Sequence, residues 1–231
     1  MFSATLKGAV MNLSKRLLRN PLEINVVPEV QDCENIEQRL HYVDNIQHKQ
    51  ELLEHLLTDP SLRQTIVFTA TKRNADDIAE KLCEIGHSAA ALHGDMNQRQ
   101  RTRTVKRLRL GEIKVLVATD VAARGIDLLT ISHVINFDLP KVVEDYVHRI
   151  GRTGRAGGKG VALSFASHKD RDLLRQIEFL TKKKMTTHTI PGMEPKGKSG
   201  HSHRPPPQRF RGHSQRPQSQ RSKARPGRFS R

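Results

Sequence analysis

Between about residues 22 and 190, short β-branched and apolar runs alternate with amphipathic stretches across links of a few residues. No other feature restricts the possible folds as much. Residues 64–68 (QTIVF), 88–92, 114–118 (KVLVA), 133–137 (HVINF) and 160–165 read as strands. Their near-continuous apolar character suits strands covered on both faces. Thr71 is placed to cap a helix whose Ala75, Ile78, Ala79, Leu82 and Cys83 share one side, with Gly86 as its stop. Residues 97–110, 142–150 and 169–180 are further helices, the first closed by Gly111. The alternation predicts an α/β domain built on a parallel sheet with helices on both faces.

Beyond residue 190 the rhythm stops. Residues 191–231 hold seven of the 11 prolines, many Arg, Ser and Gln and almost no aliphatics. Such a segment buries too little apolar surface to offset the entropy of ordering, so a disordered tail is expected. It carries three Lys and eight Arg against Glu194 alone, a net +10 of the chain's +16, which leaves +6 for the rest. Charge this one-sided points to a polyanion, nucleic acid before others. Cys33 and Cys83 stand far apart, and no His pair has metal spacing inside the domain; His201 and His203 lie in the tail. A reduced, cytoplasmic protein with no structural metal is expected. No stretch approaches the roughly 20 apolar residues of a membrane span. The first 22 residues, with Lys7, Lys15, Arg16 and Arg19 and no acid, have the composition of a transit peptide.

Residues 146–157 (YVHRIGRTGRAG) place Arg149, Arg152 and Arg155 every third position with glycines between. Guanidinium forks bind phosphate oxygens in pairs, and interleaved glycines let a backbone approach a ligand. Residues 115–127 (VLVATDVAARGID) are a buried strand opening into a small-residue turn, the usual position of ligands in parallel sheets. In residues 93–101 (HGDMNQRQR) a turn leads into a helix start with exposed amides and bases, a natural phosphate site. The remaining bases nearby, Arg99, Arg103, Lys106, Arg107 and Arg109, read as a solvated helix face.

Together these runs resemble the motifs of DEAD-box ATP-dependent RNA helicases, bacterial in type with a basic C-terminal tail. Residues 146–157 are similar to motif VI, 115–127 to motif V, 93–101 to motif IVa and 66–72 (IVFTATK) to motif IV; Ser3-Ala4-Thr5 resembles motif III. The last explains the basic start of the chain better than a transit peptide does. The resemblance implies three parts: residues 1–20 as a motif III remnant and interdomain linker, 21–190 as the second RecA-like domain, and 191–231 as an RNA-binding tail. It implies arginine fingers at Arg152 and Arg155 acting on ATP, with Gly125 shaping the nucleotide loop and Asp127 on the ribose. Thr69, Gly94, Gln98, Arg101, Thr119 and Arg124 are implied RNA contacts. Ser3, Thr5, His148 and Arg149 are implied to couple the two halves, and Asp138 is positional.

ATP with Mg2+ would be held mainly by a first RecA-like domain, whose phosphate loop and DEAD box are not in these 231 residues. The chain alone is therefore expected to be inactive as an ATPase, with RNA and that domain as its partners. The string Gly192 to Ser199 matches a phosphate-loop pattern, but Pro205, Pro206 and Pro207 follow closely where a helix would be required. A stand-alone, non-specific RNA-binding or RNA-chaperone module is the alternative, and a DNA-acting member of the superfamily, disfavoured by His148, a third.

Overall fold

The structure, a computed structural model, describes residues 9–19, 22, 35–126, 131–154 and 158–196. Seven strands form one sheet: β1 (Ile36–Tyr42), β2 (Thr65–Phe68), β3 (Ala89–Leu92), β4 (Val115–Ala118), β5 (His133–Asn136), β6 (Gly160–Ala166) and β7 (Thr186–Thr187). Their order is β3-β4-β2-β5-β6-β1-β7, and every pairing is parallel. The helices are α1 (Ala9–Leu17), α2 (Ile46–Leu57), α3 (Lys72–Glu84), α4 (Gln98–Arg109), α5 (Asp120–Ala123), α6 (Val143–Ile150) and α7 (Arg171–Thr181).

Strand order and handedness explain which helix covers which face. From β1 to β2 to β3 the chain moves one way across the sheet; from β3 onward every connection moves the other way. Right-handed crossovers therefore put α2 and α3 on one face and α4 to α7 on the opposite one. The core divides accordingly. Val67, Val117, Ile135 and Phe165 pack with Leu52, Leu53, Ile78 and Leu82 of α2 and α3. Ile66, Phe68, Leu116 and Val134 pack with Leu108, Ala122, Tyr146, Ile150 and Ile177 of the other set. Burying such side chains contributes roughly 1.5–3 kcal/mol each, on both sides of β2, β4 and β5.

The strands and helices expected from the sequence are present, with ends shifted by one or two residues. Thr71 caps α3 by accepting the Asn74 amide, and Asn97 caps α4 in a reciprocal box with Gln100. Five elements were not individually expected: α1, β1, α2, α5 and the short β7. β1 is polar at Gln38, Arg39 and His41, yet Gln38 and His41 are buried, so its letters hide its role. The chain also stays on the domain past Pro191. Ile190 and Met193 pack against the α2–α3 side of the core, the Met193 carbonyl meets His48 Nε2 at 3.0 Å, and the Lys196 amide donates to Asp44 at 2.6 Å. The tail expected from residue 191 thus has its first six residues seated on the fold.

One charged side chain docks α6 on the sheet. Arg149 is 2 % exposed. Its Nε and Nη2 donate to the two carboxylate oxygens of Asp120 at 2.6 and 2.8 Å, and its Nη1 donates to Asn136 Oδ1 at 3.2 Å and to the Asp138 carbonyl. The guanidinium lies 5.0 Å from the centre of the Phe68 ring. Asn136 passes the network on by donating to Ser164 Oγ. Breaking a buried pair leaves its partner's charge uncompensated, which costs about 3–5 kcal/mol. Arg149→Ala should therefore lower unfolding stability by about 3 kcal/mol, the low end because Asp120 keeps some solvent access. Arg149→Lys should recover less than half of it, having no planar fork. Arg124→Ala, which removes an exposed pair with Asp145, should stay within about 1 kcal/mol. Equal losses in urea melts of Arg149→Ala and Arg124→Ala would contradict this ranking.

Acid should weaken the fold through β1. His41 sits between Phe165 and His188, ring centres 6.2 and 6.1 Å away. Burial, with help from His188 and Arg39, pushes its imidazole down to about 4 from the ordinary 6.5. Burial also lowers His133. Between those limits the unfolded chain takes up a proton that the folded one refuses, so stability falls as pH drops from 6.5 towards 4. One such histidine contributes at most roughly 1.4 kcal/mol per pH unit. Melts across this range should show the decline, and His41→Phe should flatten it; an unchanged slope would remove His41 as the cause.

Candidate functional site

Because every strand runs the same way, the loops after β2, β3, β4 and β5 open on one edge of the sheet. The chain crosses β2 between β4 and β5, and ligands in open α/β sheets bind at the carboxyl ends of strands near such a reversal. Of the five sequence motifs, three are loops on this edge, a fourth follows α6 beside them, and Ser3-Ala4-Thr5 lies outside the described residues.

The loop after β4 begins at Thr119, whose amide donates to the Leu92 carbonyl at 3.2 Å and whose own carbonyl accepts the Ala122 and Ala123 amides. Its hydroxyl is not spent on capping α5. Gly125 has φ +73°, a left-handed turn that disfavours any side chain, and a Cβ there would meet open space. Arg124 is exposed and pairs with Asp145 of α6, and the Ile126 carbonyl accepts Arg152 Nη1 at 3.1 Å. With Asp120–Arg149, this ties the loop to the α6 segment at three points.

The turn after α6 is held from below. Thr153 is buried and its hydroxyl is shared between the carbonyls of Ile131 and Ser132, at 2.9 and 2.7 Å. Gly154 has φ +67°, and a Cβ on it would stand 2.9 Å from Ile36 Cγ1. A Cβ on Gly160 would stand 2.6 Å from the Gly154 amide nitrogen. These glycines let the arginine-bearing turn sit directly on β1 and β6.

On the third side, Gln98 opens α4 and is exposed, while Arg101 is half-buried with Nη2 3.3 Å from the Ala122 carbonyl. Gly94 is exposed with open space around it. Its loop is tied to α3 by His93–Asp76 at 2.8 Å and Lys72–Asp95 at 2.5 Å, and the Lys72 hydrogen bond holds the Asp95 carboxyl below its usual range. Asp138 clamps the remaining corner, taking Lys49 at 2.7 Å and the Ala70 amide at 3.0 Å.

The structure thus brings Gln98, Arg101, Thr119, Arg124, Gly125 and Arg152 to one edge, with exposed His148 beside Arg124 and Arg152 over the Phe68–Arg149 floor. Two expected site residues, Thr69 as an RNA contact and Arg149 as a coupling residue, are buried. Thr69 is 1 % exposed and donates its hydroxyl to the Thr71 carbonyl at 3.1 Å, so it shapes the loop. Arg149 spends four hydrogen bonds inside the domain. Ser3, Thr5, Asp127 and Arg155 lie outside the described residues. Sequence reasoning missed Asp120, Asn136 and Thr153, which position the others. The signal for Asp120 was its place directly after a strand end. Gly192–Lys196, the described part of the phosphate-loop pattern, holds neither strand nor helix. Among the described residues no group of His, Cys, Asp or Glu could hold a metal ion, and no helix is long and apolar enough to cross a membrane.

Comparison with known proteins bears on the same edge. The helicase conserved C-terminal domain family matches residues 48–157, which span β2 to β5 and most of the loops above. The ATP-dependent RNA helicase SrmB of Escherichia coli is 41 % identical over 197 residues, 85 % of this chain and 44 % of SrmB. The ATP-dependent RNA helicase DeaD of Mycobacterium tuberculosis is 45 % identical over 194 residues, 84 % of this chain and 34 % of DeaD. The chain therefore spans less than half the length of these relatives. Among solved structures, E. coli SrmB bound to the regulator of ribonuclease activity A superposes with a TM-score of 0.67 at 41 % identity, covering 71 % of this chain and 96 % of that one. Saccharomyces cerevisiae Dbp5 bound to RNA and ADP BeF3 gives 0.71 at 36 % identity, over 81 % of this chain and 50 % of that one. A RecA-like sheet, the motif loops gathered at its carboxyl edge and this degree of identity lead to one assignment: the chain belongs to the DEAD-box RNA helicase family and carries its helicase C-terminal domain.

Proposed function

We propose that this chain is the second RecA-like half of an ATP-driven RNA-unwinding machine, closing over ATP and RNA held by a first RecA-like domain. The observation that carries the reading is the three-point tie between the Thr119–Ile126 loop and the α6 turn. It couples an RNA-facing loop rigidly to Arg152, so a strand bound on one presents the guanidinium of the other. Arg152, with Arg155 three positions on in the sequence, would neutralise charge building on the transferred phosphoryl group. Gly125 and Asp127 would border the nucleotide. Gln98, Arg101, Thr119, Arg124 and Gly94 would line the RNA backbone path, with His148, Ser3 and Thr5 at the junction of the halves. The triphosphate cradle and the Mg2+ ligands belong to the first domain. An exposed free Cys83 fits a reducing compartment, the cytoplasm.

The 231-residue chain alone should show no RNA-stimulated ATPase. Adding a first RecA-like domain from a relative, with RNA, should produce turnover. In that mixture Arg152→Ala and Arg155→Ala should each lower kcat by about 10³-fold or more, the range known for arginine fingers, while RNA affinity changes less than about threefold. Robust turnover by the isolated chain, or mutants that lose RNA and ATPase together, would contradict the assignment.

The tail is proposed to hold RNA through its charge. Since Pro191 to Lys196 pack on the domain, a deletion should begin at Gly197 to leave the fold intact. Removing residues 197–231 should weaken single-stranded RNA binding and flatten its salt dependence, by about 0.7 in slope for each phosphate that the tail had neutralised. An unchanged slope would exclude the tail from binding.

A further inference from the structure

Past β7 the chain makes a turn that the motifs do not account for. Ile190-Pro191-Gly192-Met193 has proline second and glycine third, the order that suits a type II turn. Gly192 takes φ +85°, and the Met193 amide donates to the Ile190 carbonyl at 2.9 Å. Glu194, the one acid after residue 190, folds back to accept the Gly192 amide at 3.1 Å. The turn sends the chain across the start of α2, with Ile190 and Met193 against the α2–α3 side of the core. His48 Nδ1 accepts the Asp44 amide at 3.3 Å, which leaves the ring proton on Nε2 to donate to the Met193 carbonyl at 3.0 Å. The Lys196 amide then donates to Asp44 Oδ2 at 2.6 Å. Asp44 and His48 follow the carboxyl end of β1, on the same edge of the parallel sheet as the motif loops. Lys49, next in α2, holds Asp138, which holds the Ala70 amide of the loop after β2. The seat of residues 190–196 and one corner of the functional edge thus share the start of α2.

Ordering these seven residues costs conformational entropy, and charge attached anywhere on the domain would draw a polyanion equally well. What the seat adds is a fixed point of departure. After it come residues 197–231, with two Lys, eight Arg and no acid. We propose that residues 190–196 are a clip that fixes the origin of the basic tail at the carboxyl edge of the sheet, so that the tail and the motif loops hold one and the same RNA strand. The inference rests on the tail's RNA reading above and adds where the tail acts. A strand already on the loops meets the tail at an effective concentration set by the length of chain from Lys196, not by the bulk concentration of RNA. Recognition by the tail is of backbone charge, with no base discrimination.

The test is a double-mutant cycle on the 231-residue chain, read by the anisotropy of a fluorescein-labelled oligouridylate of about 20 nucleotides. Gly192→Val with Met193→Ser opens the clip, because valine disfavours the left-handed turn and serine gives up the apolar seat. Opening it should weaken binding about threefold in the full chain, and less than about 1.5-fold once residues 197–231 are deleted. A segment with only a structural role would shift both chains alike. Equal shifts, or none in the full chain, would overturn the clip. A second variant leaves the seat untouched: about 40 Gly-Ser residues inserted between Lys196 and Gly197 should weaken binding roughly fivefold, since effective concentration falls as about the −3/2 power of tether length. An insertion without effect would overturn the proposal, as would an equal effect on a strand of about 6 nucleotides, too short to reach tail and loops together. If deleting residues 197–231 weakens binding while neither the opened clip nor the insertion does, the tail's RNA reading stands and only its placement fails. If the deletion itself changes nothing, both fail.

Discussion

The Arg149–Asp120 pair is the interaction on which the functional edge depends. It joins the helix after β5 to the short helix after β4, and it does so below the surface, against Phe68 and Asn136. A buried charge pair of this kind adds little net stability compared with well-packed apolar residues, because desolvation offsets the attraction. What it provides is geometry. Its planar fork accepts one orientation of the carboxylate, so the start of α5 and the end of α6 are fixed relative to each other. Thr119 and Arg152, which flank that junction, inherit the constraint.

The parallel sheet supplies the other half of the design. Parallel strands need crossover connections, and these place every carboxyl end, with its loop, on the same edge. Four loops can then be tied to one another by short bonds without any passing through the core. Asp138 illustrates the economy: one carboxylate holds the end of β5, the segment just after β2 and Lys49 of α2. The edge is consequently a rigid surface built from loops, the combination that positions ligand groups well.

Much of this was legible in the letters. The runs QTIVF, KVLVA and HVINF announce strands covered on both faces, and Thr71 and Asn97 announce helix starts, because each obeys a local rule. β1 was not legible, since Gln38 and His41 are buried polar residues whose environment comes from β6 and the segment after β7. The arginine triplet shows the same limit at the site. Arg149, Arg152 and Arg155 are equivalent in spacing, but α6 ends at Ile150, and Arg149 shares the buried side of that helix with Tyr146 and Ile150. Arg152 comes after the helix, where the backbone has left its axis. The apolar stripe of α6 was the available signal, and a motif pattern read without its helix overlooks it.

The same pairings decide where the domain's positive charge is felt. A domain with a mild excess of base could scatter it uniformly, which would favour solubility and bind polyanions diffusely. Here the carboxylates nearest the edge are consumed by structural arginines and lysines: Asp120 by Arg149, Asp138 by Lys49, Asp145 by Arg124. Each such pairing removes a negative charge from the edge without removing a ligand-facing cation, except at Arg124. Among the described residues, the electrostatic character of this edge is thus set as much by where the acids are occupied as by where the bases stand. Net charge read from composition could not have located it, because the same residues with the pairings exchanged would present a neutral face.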